Sequence, residues 1–216
     1  MLNRQLSLKN ISLGAFILAI ALLSQGCGLL EKSDQLAACS NLANNLFQNG
    51  SEVPLNNQEL IGSDLAQSFT TGTATTISKT QLILSKQNDP NGNGTLTVSL
   101  QKDAAGVPDN INIASTSLPI SQITQNNTAT TLNFVFASKI ALTANTKYWI
   151  RLSSNIAQQP AAGSLIKWMG STNNPYQFGE AKVQDQDTGA WKNNAIAGTN
   201  FSGASHDLVF NIDCNQ

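Results

Sequence analysis

This sequence has little charge. Only 12% of its 216 residues are Asp, Glu, Lys or Arg, about half the quarter usual in globular chains. Twelve basic residues stand against thirteen acidic ones. That leaves no basic excess to hold a phosphate backbone, which excludes nucleic acid as a partner. The same shortage excludes a coiled coil, which needs Glu and Lys beside a Leu seam, and a chain kept disordered by its charge. The classical catalytic sets are also missing. There is one His, and no G-x-S-x-G elbow. His206 has Ser202, Ser205 and Asp207 for neighbours, but a Ser-His-Asp relay is assembled across a fold, not within a few residues. The one local carboxylate pair suited to glycosidase chemistry is Glu180 with Asp185 or Asp187. These absences predict a protein that is not an enzyme, with a jelly-roll hydrolase as an alternative. Asn, Gln, Ser and Thr fill the gap, at 81 of 216 residues, and the composition is that of a neutral, polar, β-leaning globular chain.

The first 26 residues read as an address. Met1–Asn10 carries Arg4 and Lys9 and no acid, and Ile11–Leu23 is apolar apart from Ser12 and Gly14. A basic segment followed by a short apolar one is a secretory signal, and this one is too short to span a bilayer comfortably. Leu22-Leu23-Ser24-Gln25-Gly26-Cys27 then resembles the lipobox of bacterial lipoproteins. In that family the chain is cut before the Cys, whose thiol carries a diacylglycerol. Gly26 supplies the small residue wanted before the cut. The resemblance implies a lipid on Cys27, attachment to a membrane through it, and a place in the bacterial envelope, at the outer membrane or cell surface. Gly28 stands where an Asp would resemble an inner-membrane retention signal. Without Arg4 and Lys9 the remaining chain has 10 basic and 13 acidic residues, a net charge of −3.

There are three cysteines, Cys27, Cys39 and Cys214. An odd count in an exported protein needs a reason. If the lipid takes Cys27, then Cys39 and Cys214 remain as an even pair in an oxidising compartment. A disulfide between them would close almost the whole domain. Two separate buried thiols are the alternative. Two Cys and one His without C-x-x-C spacing argue against zinc.

Residues 27–63 are expected to hold the lipidated N-terminus, one helix and a connector. Leu36, Cys39, Ala43, Leu46 and Phe47 recur at helical spacing, which predicts an amphipathic helix over Asp34–Gln48. Ser51–Ser63 reads as a connector. From residue 64 to 216 the pattern is that of strands. Leu96, Val98 and Leu100 alternate with Thr95, Thr97, Ser99 and Gln101. Leu132, Phe134 and Phe136 alternate likewise, as do Tyr148, Ile150 and Leu152, and Leu208, Phe210 and Ile212. One apolar and one polar face per strand marks antiparallel sheets with one wet side. About nine such strands, over Leu65–Thr71, Ile77–Lys86, Thr95–Gln101, Asn112–Ser117, Thr131–Ala137, Thr146–Ser153, Leu165–Met169, Tyr176–Val183 and Asp207–Asp213, predict a mostly β, two-sheet, jelly-roll-like sandwich.

The strands also carry a resemblance. Gln67-Ser68-Phe69-Thr70-Thr71-Gly72 comes first, then Gln81-Leu82-Ile83-Leu84-Ser85, Thr97-Val98-Ser99-Leu100 and Gly106-Val107-Pro108. Leu142-Thr143-Ala144-Asn145-Thr146-Lys147-Tyr148-Trp149-Ile150-Arg151-Leu152 follows. This order resembles the choice-of-anchor R domain of exported bacterial proteins, over Leu65–Asp213. The resemblance implies a β-sandwich displayed at a surface and implies no catalytic residue.

Two constellations remain. Asp89-Pro90-Asn91-Gly92-Asn93-Gly94 matches the first half of a calcium loop, with Asp89, Asn91 and Asn93 as ligands. Leu100 stands where the bidentate Glu belongs, and a plain hairpin loop is the alternative. No cofactor other than this Ca²⁺ candidate is expected. Second, Trp149, Trp168, Tyr176 and Trp191 cluster in the C-terminal half among Asn and Gln. Exposed rings beside amides would make a platform for a glycan, whereas buried ones would fill the core or cap its ends. Alternation puts Tyr148 in the core and Trp149 on the opposite face, beside Lys147 and Arg151. The expected role is a non-catalytic, lipid-anchored surface module binding a glycan or another surface protein. A structural envelope lipoprotein without a small ligand is the alternative.

Overall fold

In the computed structural model, residues 50–54, 64–87, 94–124, 126, 128–155, 165–171, 179–185, 188–193 and 207–215 are described. They form twelve strands and one short 3-10 turn. In chain order the strands are β1 Gly50–Pro54, β2 Leu65–Thr71, β3 Thr75–Gln87, β4 Thr95–Asp103, β5 Pro108–Pro119 and β6 Thr130–Leu142. They continue as β7 Thr146–Ser154, β8 Leu165–Ser171, β9 Ala181–Gln184, β10 Trp191–Asn193, β11 Asp207–Leu208 and β12 Phe210–Asn215. No helix of the described residues is long and apolar enough to cross a membrane. The expected helix at Asp34–Gln48 lies outside the described residues.

All pairings are antiparallel and fall into two six-stranded sheets. The first is built on β3. One side of β3 carries β6, and the other carries β12 along Thr76–Leu82 and β8 at Leu84–Gln87. β8 also pairs with β1 and β11. The second sheet runs β10-β9-β2-β7-β4-β5. Two antiparallel sheets and a shared core are the β-sandwich that the alternating strands predicted.

The core lies where the apolar faces meet. The first sheet contributes Leu82, Leu84, Phe134, Trp168, Phe210 and Ile212, and the second Leu65, Phe69, Leu96, Val98, Tyr148, Ile150 and Leu152, all buried. Phe69 stacks on Tyr148 at 5.8 Å within the second sheet and meets Phe210 of the first at 6.0 Å. Each such side chain contributes about 1.5–3 kcal/mol by burial. A buried polar clip also joins the sheets. Gln67 Nε2 donates to Asp207 Oδ1 at 3.0 Å, and Gln67 Oε1 accepts from the Leu208 backbone N–H at 2.7 Å. Gln67 is fully buried but hydrogen-bonded at both its amide nitrogen and oxygen, so its burial is not an uncompensated cost.

Several segments differ from their sequence-based bounds. Gly50–Pro54, whose last four residues read as connector, forms β1 against β8, so the sheet begins before residue 64. Its short run lacks a periodicity to read, and pairing alone makes it a strand. β5 and β6 extend well beyond Asn112–Ser117 and Thr131–Ala137, because β4 and β3 carry the ladder along with them. The β4–β5 connection is a two-residue hairpin, with Ala105 at φ 56° and Gly106 at φ 87° and Ala104 N–H donating to Val107 O at 2.8 Å. Paired positive φ values match the twist of a tight hairpin. β9 starts at Ala181, not at Tyr176, and Trp191–Asn193 adds a strand that no alternation announced.

Candidate functional site

The outer face of the second sheet holds the largest collection of charged and amide side chains among the described residues. Register defines it. Trp149 of β7 stands opposite Ser68 of β2 and Gln101 of β4, and Arg151 opposite Ala66 and Ser99. Lys182 of β9 stands beside Ala66. The β2 neighbours Ala66 and Ser68 are small, and Trp149, Ala66, Ser68 and Gln101 are all fully buried. The face is thus covered, although it is the polar one.

Arg151 is the hub of one half. Its Nε donates to Asp64 Oδ2 at 2.6 Å, and its Nη2 stands 2.5 Å from the same oxygen. Nη2 also donates to Gln184 Oε1 at 3.1 Å, and Nη1 to Asn110 Oδ1 at 3.2 Å. The guanidinium lies 5.6 Å from the Trp191 ring, a cation–π arrangement. Burial pushes the Asp64 carboxyl above the ordinary carboxylate range, and the charge and hydrogen bond of Arg151 only partly offset it.

Lys147 and Glu180 organise the other half. Lys147 Nζ donates to Glu180 Oε1 at 2.6 Å and sits 5.0 Å from the Trp149 ring centre. Lys182 Nζ reaches Glu180 Oε2 at 3.0 Å and donates to Asn193 Oδ1 at 2.6 Å. Burial pushes the Glu180 carboxyl up, but the hydrogen bonds and charges of Lys147 and Lys182 together hold it below its ordinary value. Trp149 Nε1 donates to Asp103 Oδ1 at 2.8 Å. Nearby, Asp185 accepts from Lys192 and from the Thr188 N–H, and is lowered to about 2 by that lysine first and the backbone bond second.

The proposed ring platform is therefore corrected. Trp149 and Trp168 are both 0% exposed. Trp168 is not at a strand end; it fills the core from within β8 and donates from Nε1 to Val209 O at 2.8 Å. Trp149 is on the face that alternation assigned, beside Lys147 and Arg151, but its ring is closed over. Trp191 alone is partly exposed, and its Nε1 is buried with no hydrogen-bond partner. Gln101 Oε1, on the same face, is buried and unpartnered as well. Tyr176 lies outside the described residues.

Of the candidate carboxylates, Glu180 is paired with Lys147 and Lys182, and Asp185 with Lys192. Asp187 and His206 lie outside the described residues, and Asp207 is committed to the Gln67 clip. Asp89, Asn91 and Asn93 also lie outside them, and no metal-holding group of His, Cys, Asp or Glu occurs among the described residues. Cys27 and Cys39 lie outside them too. The backbone of Cys214 pairs with Ile77 in β12, and there is no disulfide among the described residues. Sequence reasoning missed Asp64, Asp103, Asn110 and Gln184 as partners of the face. The only signal for them was that Asp64 and Asp103 sit at strand ends; register makes the rest.

Compared with known proteins, the chain matches no family model and no curated protein.

Proposed function

We propose that this chain is a non-catalytic, lipid-anchored module of the bacterial cell envelope. An acyl group on Cys27 would hold it, and the β-sandwich would be displayed to bind a glycan or another surface protein. The observation that carries this reading is the run from Met1 to Cys27: two basic residues, a short apolar segment and Leu22-Leu23-Ser24-Gln25-Gly26-Cys27. One lipid chain binds a membrane reversibly, while two or more anchor it stably. A second support is where the resemblance-bearing segments lie. Gln67–Thr71 and Thr146–Ile150, two of the stretches that resemble the choice-of-anchor R domain, are direct neighbours in the second sheet. A Cys39–Cys214 disulfide belongs to the same reading, as the staple of an exported chain.

Recognition of a glycan would fall to Trp191, with Asn193, Gln184 and Arg151 beside it. The burial of Trp149 and Trp168 favours a second reading, a structural envelope lipoprotein with no small ligand.

Anchoring is tested by replacing Cys27→Ser in the full chain and following radiolabelled palmitate and the membrane fraction. The wild type should take up label and sediment with membranes. The variant should take up none, and either stay unprocessed or leave the membrane. A variant that is cut normally and remains in the membrane ends the lipoprotein reading. A glycan array on the wild-type protein decides between the two roles. Binding that Trp191→Ala abolishes supports recognition, and an empty array leaves the structural role.

A further inference from the structure

Resting on the lipid-anchored reading, we propose that the sandwich stands on the membrane by one end, with the β4–β5 hairpin dipping Ile111 and Ile113 into the lipid headgroup boundary. Ile111 is 70% exposed and Ile113 38%, the two large exposed hydrophobic residues of β5. Register shows how they come to be held out. Gln101 stands opposite Asn112 and Asp103 opposite Pro108, so Lys102 of β4 faces three residues of β5. Leu100 pairs with Ala114, which leaves Ile113 unopposed. Within the bulge Asn110 has φ 61°, and in the turn Ala105 has φ 56°, a left-handed conformation uncommon for residues other than glycine. A bulged edge is a poor template for another strand, and exposed apolar clusters mark protein or membrane contacts.

The backbone of the hairpin favours lipid as the occupant. In a membrane, polar backbone groups need partners from the chain itself. Here Ala104 N–H donates to Val107 O at 2.8 Å, Gly106 N–H to Asp103 Oδ2 at 3.0 Å and Ile111 N–H to Asp109 Oδ1 at 2.9 Å. Both carboxylates near the tip are thus turned onto the hairpin's own backbone, and Asp103 Oδ1 also holds Trp149 Nε1. The one exposed charged residue of the hairpin is Lys102, a cation, which suits anionic headgroups.

A second observation is where the acyl-bearing chain joins the sandwich. β1 is antiparallel to β8, and β8 to β3, so β1 runs in the direction of β3 and begins toward its Thr75 end. Residues 72–74 and 143–145 connect the two sheets at that end, and Asn145 N–H donates to Thr71 O at 2.6 Å. Neither connection holds a charged residue. Lys102 pairs with Tyr148 near the start of β7, so the hairpin belongs to the same end. Cys27, 23 positions before Gly50 (50 − 27), therefore tethers the sandwich from the side of the hairpin. A tethered module needs only weak further contact to stay engaged, because the tether keeps the second site at high effective concentration. Trp191 stands at the opposite end. It pairs with Gln184, one step past Val183, which pairs with Leu65 at the start of β2. A membrane at the hairpin end leaves Trp191 facing outward.

The test uses the full lipidated chain in vesicles of phosphatidylethanolamine and phosphatidylglycerol, with the wild type as the labelling blank. In Ile111→Cys, an environment-sensitive dye on the new thiol should shift its emission to shorter wavelength and be quenched by lipids spin-labelled near the headgroup. The same dye in Ser121→Cys, in the 3-10 turn past the other end of β5, should keep its aqueous spectrum. Adding Ile113→Asp to Ile111→Cys should return the emission toward the aqueous value with an unchanged melting temperature. Ile113→Ser serves if the aspartate variant does not fold. A chain that floats with the vesicles while the dye on Ile111→Cys reports water overturns this proposal and leaves the anchor standing. A chain that does not float overturns the anchor as well. Equal shifts in Ile111→Cys and Ser121→Cys also overturn the proposal. So does a shift seen in intact cells but not in vesicles of lipid alone, which would assign the hairpin to a partner protein.

Discussion

On the inner face of the second sheet, Leu65, Phe69, Leu96, Val98, Tyr148, Ile150 and Leu152 exclude water by meeting the first sheet. On its outer face the same strands place Trp149, Arg151, Lys147 and Gln101, and here Trp149 and Gln101 are just as buried. The first face closes by apolar contact, which is non-directional and tolerant. The second closes by a net of directed bonds: Arg151 to Asp64, Gln184 and Asn110, Lys147 to Glu180, and Trp149 to Asp103. A buried tryptophan is therefore not evidence of a core position in this protein. Trp168 belongs to the core, and Trp149 belongs to a polar lid.

The largest effect should come from the tryptophans. Trp168→Ala should cost about 3–5 kcal/mol, the usual loss for emptying a core aromatic. Trp149→Ala should fall in the same range. Trp149→Phe and Trp168→Phe sharpen the contrast. Chemical denaturation should show Trp149→Phe partly rescued by Asp103→Asn, because the lost partner is a side chain. Trp168→Phe has no such rescue, because its lost partner is the Val209 carbonyl. Equal behaviour of the two pairs would remove the distinction.

Next comes the clip between the sheets. Gln67→Leu keeps the volume but removes the hydrogen bonds that Gln67 makes with Asp207 and with the Leu208 N–H, at about 0.5–1.5 kcal/mol each. Gln67→Glu should be worse at neutral pH, with a carboxylate set against Asp207. If Gln67→Leu melts like the wild type, the sheets are held by apolar contact alone.

Arg151→Met tests the outer net. Both partners are partly solvated, with side chains 22% and 12% exposed. The loss should therefore lie below the 3–5 kcal/mol of a fully buried pair, at about 1–2 kcal/mol. Its pH dependence has a definite sign. The Asp64 carboxyl is already raised by burial, and without Arg151 it should rise further. A raised acid binds more protons folded than unfolded, so stability falls as pH rises through that window. The deficit of Arg151→Met should grow from pH 4 to pH 7. A deficit constant with pH would mean that Asp64 does not need Arg151.

The smallest effect concerns the turn beyond β9. Asp185 is lowered to about 2, so its share of stability is present above the unfolded value and lost as pH falls from about 4 to about 2. Lys192→Ala should flatten the acid limb of the melting curve over that interval and change little at pH 7. An unchanged acid limb would show that the Lys192 contact carries no stability. Glu180, also lowered, acts in the same direction.

Local pattern was enough for the class of fold. Alternation is a property of each strand alone, because side chains point to opposite faces at every step. That is why β2 and β7 were placed to within one residue, and why Tyr148 and Trp149 were assigned to opposite faces. It is also why alternation did not announce β1 and β10, since three to five residues give it nothing to repeat. Composition likewise argued against nucleic acid as a partner, and the N-terminal run suggested an address, because both are read without folding. Exposure was not legible. The ring of Trp149 is fully buried on the polar face, with Lys147 of the same strand over it and Asp103 of β4 holding its Nε1. Asp64 and Arg151 are 87 positions apart, and Gln67 and Asp207 are 140 apart. Pairs so distant in the chain are set by sheet order and register, which depend on every strand at once. The sequence by itself determined which residues each strand turns to either side. Only the tertiary structure decided which side water reaches.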